Sequence, residues 1–325
     1  RIVGGDFMPE NEAPYAVSVA LSRPGNGGGG FCGGTLISDR HVLTAAHCLT
    51  SPNDKFQSSY TVTVGYNSQH RDKQTRVKAT KVDIHPIYYE NTDDDKYDIA
   101  VLTIPPITFG AGAQRMSVDD GRLEANQPLL AVGWGGTEEH NGLPNRLKRV
   151  TIKVGDPGAC GRFTSNFGDS NGPRVCALKT LTPGKGICMG DSGSGVSINR
   201  NGQQYLVGIS SRMFGWEACD ADDVASSFVH VVSYLDFVME KSGLTREYLL
   251  GKKTSSPPPR PHSNDNADPP QPDEDADSPP PDNKDDYDKG GDKGDDKGDG
   301  PPKPEDKEVT HTVTKTVYLV IPMPT

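Results

Sequence analysis

A serine set between glycines, directly behind an acid, is the first chemistry-bearing feature of this sequence: Gly186-Ile187-Cys188-Met189-Gly190-Asp191-Ser192-Gly193-Ser194-Gly195. A serine hydroxyl is a weak nucleophile. It needs a base within hydrogen-bond reach and N–H donors for the oxyanion that its attack creates. Glycines at 190 and 193 remove the Cβ atoms that would keep backbone N–H groups away from a substrate carbonyl. Alone, such a loop is more often a turn than a nucleophile. Three other stretches supply what it lacks. Leu43-Thr44-Ala45-Ala46-His47-Cys48 offers a histidine, whose ordinary pKa suits a base that must later return its proton. Tyr97-Asp98-Ile99-Ala100-Val101-Leu102 puts an acid at the mouth of an apolar strand, and the chain starts Arg1-Ile2-Val3-Gly4-Gly5. Singly, His47 reads as a packed core histidine and Asp98 as a strand-end turn residue. Together with Ser192 they read as the base, the orienting acid and the nucleophile of an acyl transfer.

Elements that would hold these residues are short strands. Ala13 to Leu21, Phe31 to Ile37, His41 to Thr44, Tyr60 to Val64, Val77 to Ile84 and Ile99 to Ile104 form a first set. Leu129 to Trp134, Arg149 to Val154, Arg174 to Leu178, Gly195 to Ile198, Tyr205 to Ser210 and Ser227 to Val232 form a second. Many short strands between Gly, Pro, Asn and Asp turns predict an all-β sandwich or barrel. Leu235 to Leu250 carries apolar residues at helical spacing and predicts one C-terminal helix.

Composition divides the 325 residues near Gly251. Residues 252–325 hold 17 Asp and Glu against 10 Lys and Arg, so most of the whole-chain net charge of -10 belongs to this tail. Rich in Pro, Asp, Lys and Gly, it has little to bury and reads as disordered; its end, Val309 to Ile321, alternates Val and Thr and is β-prone. The domain boundaries expected are therefore 1–251 and 252–325. No basic patch suggests nucleic acid, and no run approaches the roughly 18 apolar residues of a membrane span. No signal peptide is seen; the chain starts where a processed precursor would. Cys32, Cys48, Cys160, Cys176, Cys188 and Cys219 make an even count without a C-x-x-C pair. That reads as a disulfide framework in an oxidising compartment rather than a zinc site, with buried reduced thiols as the bland alternative. No cofactor or metal is expected; Asp93-Asp94-Asp95 reads as solvated charge.

The sequences around His47, Asp98 and Ser192, their chain order, and the Ile2-Val3-Gly4-Gly5 start resemble the trypsin/chymotrypsin-type serine proteases over about residues 1 to 245. The resemblance implies two six-stranded antiparallel β-barrels with the site between them. It implies His47, Asp98 and Ser192 as the triad, the N–H groups of Gly190 and Ser192 as the oxyanion hole, and Ser211 as a hydroxyl bonded to Asp98. It pairs Cys32 with Cys48, Cys160 with Cys176 and Cys188 with Cys219. Cleavage after Arg1 would free the Ile2 amine to pair with Asp191. Substrate-pocket positions implied are Gly186 and Ile187 at the base, Ser211, Arg212 and Met213 on one wall, and Ser227 on the other. Gly186 stands where trypsin-like members have Asp, so the base is uncharged and favours apolar or aromatic P1 residues, with Met213 narrowing it. Arg212 replaces an aromatic floor at P2–P4, and Gly193-Ser194-Gly195 replaces Gly-Gly-Pro.

The expected protein is thus a secreted serine endopeptidase. Its partners would be protein or peptide substrates, a separate activating protease and proteinaceous inhibitors, with neither nucleic acid nor a membrane span. Two alternatives stay open. One is a non-catalytic homologue that uses the cleft for binding or inhibition. The other is a trypsin-like enzyme in which Asp220, Asp222 or Asp223 holds a basic P1 side chain.

Overall fold

The computed structural model describes residues 2–22, 29–50, 60–89, 95–135, 143–178, 181–215, 219 and 224–252. Arg1, Asp93, Asp94, Asp220, Asp222, Asp223 and the tail from 253 onward lie outside the described residues. The fold is mostly β, in two antiparallel sheets.

In the first sheet β2 (Ala16–Ser22) pairs with β3 (Phe31–Leu36) and β5 (Thr61–Tyr66), and β4 (His41–Thr44) joins β3 to β8 (Ala100–Thr103). The expected single strand from Val77 to Ile84 is two: β6 (Thr75–Lys78) on β5, and β7 (Lys81–Ile84) on β8. The change of partner occurs at two residues. Ala79 N–H donates to Val62 O at 2.9 Å, and Thr80 N–H donates to Thr103 O at 2.8 Å. One chain segment therefore turns a corner and supplies both ends of the sheet, so seven strands by pairing amount to a six-stranded closed ring.

The second sheet runs β1 (Asp6–Phe7), β10 (Lys148–Lys153), β9 (Pro128–Gly133), β12 (Gly195–Arg200), β13 (Gln203–Phe214), β14 (Ala225–His230) and β11 (Arg174–Leu178). A bridge between Val154 and Ala177 joins its two ends beyond the two-residue β1. A register shift between Ser210 and Arg212 marks a bulge in β13, and a bulge re-aims the side chains beyond it.

The expected C-terminal helix is broken in two. Helix α1 (Pro157–Cys160) is a single turn; α2 (Leu235–Ser242) ends at Gly243, whose φ of 68° and N–H bond to Met239 O at 2.8 Å make a left-handed cap. Helix α3 (Arg246–Leu249) then restarts, with Thr245 Oγ1 accepting the Tyr248 N–H. Leu235 and Val238 of α2 lie in the same buried cluster as Val17, Leu36, Leu43 and Val101 of the first sheet and Ile209 of the second. Each such aliphatic side chain contributes up to about 1.5–3 kcal/mol. The helix that follows the second sheet thereby holds the first against it.

Three disulfides join the pairs that the resemblance implied. Cα–Cα distances are 6.3 Å for Cys32–Cys48, 6.4 Å for Cys160–Cys176 and 5.5 Å for Cys188–Cys219. No helix among the described residues is long and apolar enough to cross a membrane.

Candidate active site

His47 sits on a 3-10 turn, Ala46–Leu49, that follows β4, and Cys48 on the same turn is tied to Cys32 of β3. Asp98 lies on the loop before β8, the strand that pairs with β4. Strand pairing thus brings together two residues 51 apart in sequence. Asp98 is 2% exposed and accepts three bonds: His47 N–H at 2.8 Å, His47 Nδ1–H at 2.7 Å and the Ser211 hydroxyl at 2.6 Å. A carboxylate only accepts, so Nδ1 carries the proton and Nε2 keeps its lone pair.

Burial alone would raise the Asp98 carboxyl, but the His47 ring and these donors outweigh it and hold Asp98 below the usual carboxylate value. Burial pulls His47 down; the adjacent carboxylate overcomes that and holds the imidazole above its usual value, while Arg212 opposes it weakly.

Ser192 shares with His47, Asp98 and Ser211 a cleft of about 320 Å³. Its hydroxyl makes no hydrogen bond to His47 among the described residues. The loop around Ser192 is pinned from both sides. Gly33 N–H of β3 donates to Ser192 O at 2.8 Å, Gly193 N–H to Ser210 O at 2.8 Å, and Ser210 N–H to Ser194 O at 2.8 Å. Gly33 must be glycine, because a Cβ there would overlap Ser194 Oγ. Asp191 N–H is spent on Cys188 O at 3.1 Å, whereas the N–H groups of Gly190 and Ser192 on either side have no acceptor among the described residues.

The Asp191 side chain is fully buried and accepts Gly135 N–H at 2.8 Å and Cys188 N–H at 3.0 Å; burial still pushes its carboxyl above the ordinary value. The segment after Arg1 is seated in the fold. Ile2 is 1% exposed in one cluster with Ile187, Leu129 and Val150. Val3 and Gly186 exchange backbone bonds at 2.9 and 3.2 Å. Gly4 has a φ of 58° and packs against Gly184, which leaves no room for a side chain.

Of the pocket residues expected, Ile187, Ser211, Arg212 and Met213 line the cleft. Gly186 is buried, bridges Val3 and is not part of the cleft lining. Ser227 is turned elsewhere: its hydroxyl accepts Arg174 Nε at 3.1 Å and Nη2 at 2.6 Å, and Arg174 is packed against Phe167 and Phe214. Three lining residues escaped the sequence reading, Ser210 beside Ser211 being one. Met189 lies between two residues already singled out, and that position was signal enough to find it. Tyr88 comes from a 3-10 turn, Pro86–Tyr89, whose sequence carries no motif.

The trypsin family model matches residues 2–238. Trypsin 5G1 of Aedes aegypti is 33% identical over 247 residues, which is 75% of this chain and 86% of that protein. The vitellin-degrading protease of Bombyx mori is 34% identical over 198 residues, 59% of this chain and 70% of the relative. Chymotrypsin-like elastase family member 1 of Bos taurus is 28% identical over 246 residues, 73% of this chain and 88% of the relative. Fold, site geometry and these similarities lead to one conclusion: the chain belongs to the trypsin family of serine proteases.

Proposed function

We propose that the chain is a serine endopeptidase whose nucleophile is Ser192, with His47 as general base and Asp98 as the acid that orients it. The observation that carries this reading is the buried Asp98, which holds both the His47 ring and Ser211 beside Ser192 in one cleft. Ser192 Oγ attacks the scissile carbonyl while His47 Nε2 takes its proton. The N–H groups of Gly190 and Ser192, unspent within the described residues, receive the oxyanion. His47 then returns the proton to the leaving amine, and water repeats the sequence on the acyl-enzyme.

Apolar or aromatic P1 residues are favoured, because the lining contributed by Ile187 and Met213 is uncharged. Relatives are named both trypsin and elastase, so the P1 choice rests on these residues. Cutting after Arg1 would free the Ile2 amine to pair with Asp191, whose fully buried carboxyl also accepts the N–H groups of Gly135 and Cys188. A pocket that rejects arginine does not make that cut itself, so a separate trypsin-like protease would be the activator. Residues 1–251 form the catalytic unit, the remainder is an appendage, and three disulfides support an extracellular location.

A positional P1 peptide library, offered to protein cut after Arg1 and to Ser192→Ala, tests this. Cleavage after Phe, Tyr, Leu or Met that disappears in the variant is the expected result. Cleavage after Lys or Arg keeps the peptidase and overturns the pocket assignment.

A further inference from the structure

We propose that Arg212 is a specificity-determining residue that selects substrates with a carboxylate side chain on the acyl side of the scissile bond, within P2–P4. This rests on the peptidase reading above and adds to it a charge requirement that the P1 pocket does not carry.

Arg212 follows the bulge in β13, lines the cleft beside Ser211 and Met213, and is exposed. Its guanidinium makes no hydrogen bond or ion pair among the described residues. Its cross-strand neighbour is Ser227, and the Ser227 hydroxyl is already taken by Arg174. The other titratable groups that line the cleft are His47, Asp98 and Tyr88. Asp98 is buried with three donors, His47 is neutral when it acts as a base, and Tyr88 is an uncharged phenol at neutral pH. Arg212 is therefore the one permanent charge that the described lining offers to a substrate. It lies near enough to Ser192's base to weaken the proton affinity of His47.

A guanidinium presents a planar fork of N–H donors that fits a carboxylate and repels an ammonium. The cleft partly shields such a pair from water, and among the described residues no acid has to be displaced first. A charge-assisted bond of this kind is worth roughly tenfold in binding or in kcat/KM, and it weakens with salt.

The test uses matched peptides with one P1 residue and Asp, Asn or Lys at P2, P3 or P4 in turn. Each is cleaved by the wild-type protein, by Arg212→Gln and by Arg212→Glu. At one of these positions the wild-type protein should prefer Asp over Asn by about tenfold in kcat/KM, and Lys should be poorest. The preference should vanish in Arg212→Gln and turn toward Lys in Arg212→Glu; that inversion also certifies that the variant is folded. Equal cleavage of Asp and Asn peptides at every position, or a preference that persists in Arg212→Gln, overturns the proposal. A serine-directed phosphonate is run alongside. Failure to label Ser192 of the wild-type protein overturns the peptidase reading itself, whereas labelling without charge selection overturns only the role of Arg212.

Discussion

The Ser211 hydroxyl donates to Asp98 Oδ2 at 2.6 Å, and this bond joins a strand of the second sheet to the acid that precedes β8 of the first. The same oxygen accepts His47 Nδ1–H at 2.7 Å. The orientation of the His47 ring therefore depends on how the two sheets sit against each other.

The pH profile should report this arrangement. His47 must be neutral to accept a proton, and the Asp98 carboxylate holds its pKa above the ordinary 6.5. The acid limb of kcat/KM should accordingly rise with pH through a midpoint above 6.5. Ser211→Ala removes one donor from Asp98, which leaves the carboxylate more basic and the imidazolium harder to deprotonate. Its midpoint should lie higher still, with kcat/KM down about tenfold. A midpoint that falls in the variant would contradict the geometry.

Stability should follow the same pair. The raised His47 value stabilises the fold below 6.5, and that contribution is lost as pH rises through the folded-state value; the lowered Asp98 value contributes above 3.8 and is lost at lower pH. Both are present together between those limits. The Tm deficit of His47→Ala relative to wild type should be larger near about pH 5.5 than near about pH 9.

Asp191→Ala would strip the N–H groups of Gly135 and Cys188 of their buried acceptor. Each orphaned donor costs on the order of 1–3 kcal/mol, so the midpoint of denaturant unfolding should fall clearly. The Gly190 and Ser192 donors flank this residue, so kcat should fall more than KM rises. Unchanged kcat would argue against a link between Asp191 and the oxyanion donors.

Gly33→Ala tests the contact between β3 and the loop that bears Ser192. The added methyl group would overlap Ser194 Oγ, and Gly33 N–H also holds Ser192 O at 2.8 Å. Overpacking of this kind costs roughly 1–3 kcal/mol. Thermal unfolding should show the loss, and kcat should fall with it because the loop that yields is the one bearing Ser192.

Much of this was legible in the residues. Strand β4 and strand β11 lie at the limits that alternation predicts, His41–Thr44 and Arg174–Leu178. His47, Asp98, Ser192 and Ser211 were singled out because each stands in a distinctive local sequence, and one cleft is lined by all four. Alternation failed where one run serves two partners: nothing in Val77 to Ile84 announces that β5 and β8 divide it between them. Helical spacing likewise ran through Gly243, where the left-handed cap stops α2. The pocket wall was harder. Ser226 and Ser227 are chemically alike and alternate in facing along β14, so a one-residue uncertainty in register exchanges their faces, and neither lines the cleft. A 1% exposed Arg174 that claims Ser227 is invisible to a reading that treats arginine as a surface residue.

The central claim is that Asp98 and His47 activate Ser192, and the most direct measurement is covalent labelling by a serine-directed phosphonate, located by peptide mass spectrometry. Protein cut after Arg1 should carry the label on Ser192 alone. Labelling should vanish in Ser192→Ala and slow by roughly 10⁴-fold in Asp98→Asn, which imposes the wrong imidazole tautomer. Unlabelled wild-type protein, or labelling of Asp98→Asn at the wild-type rate, would contradict the account and leave a cleft that binds without cutting.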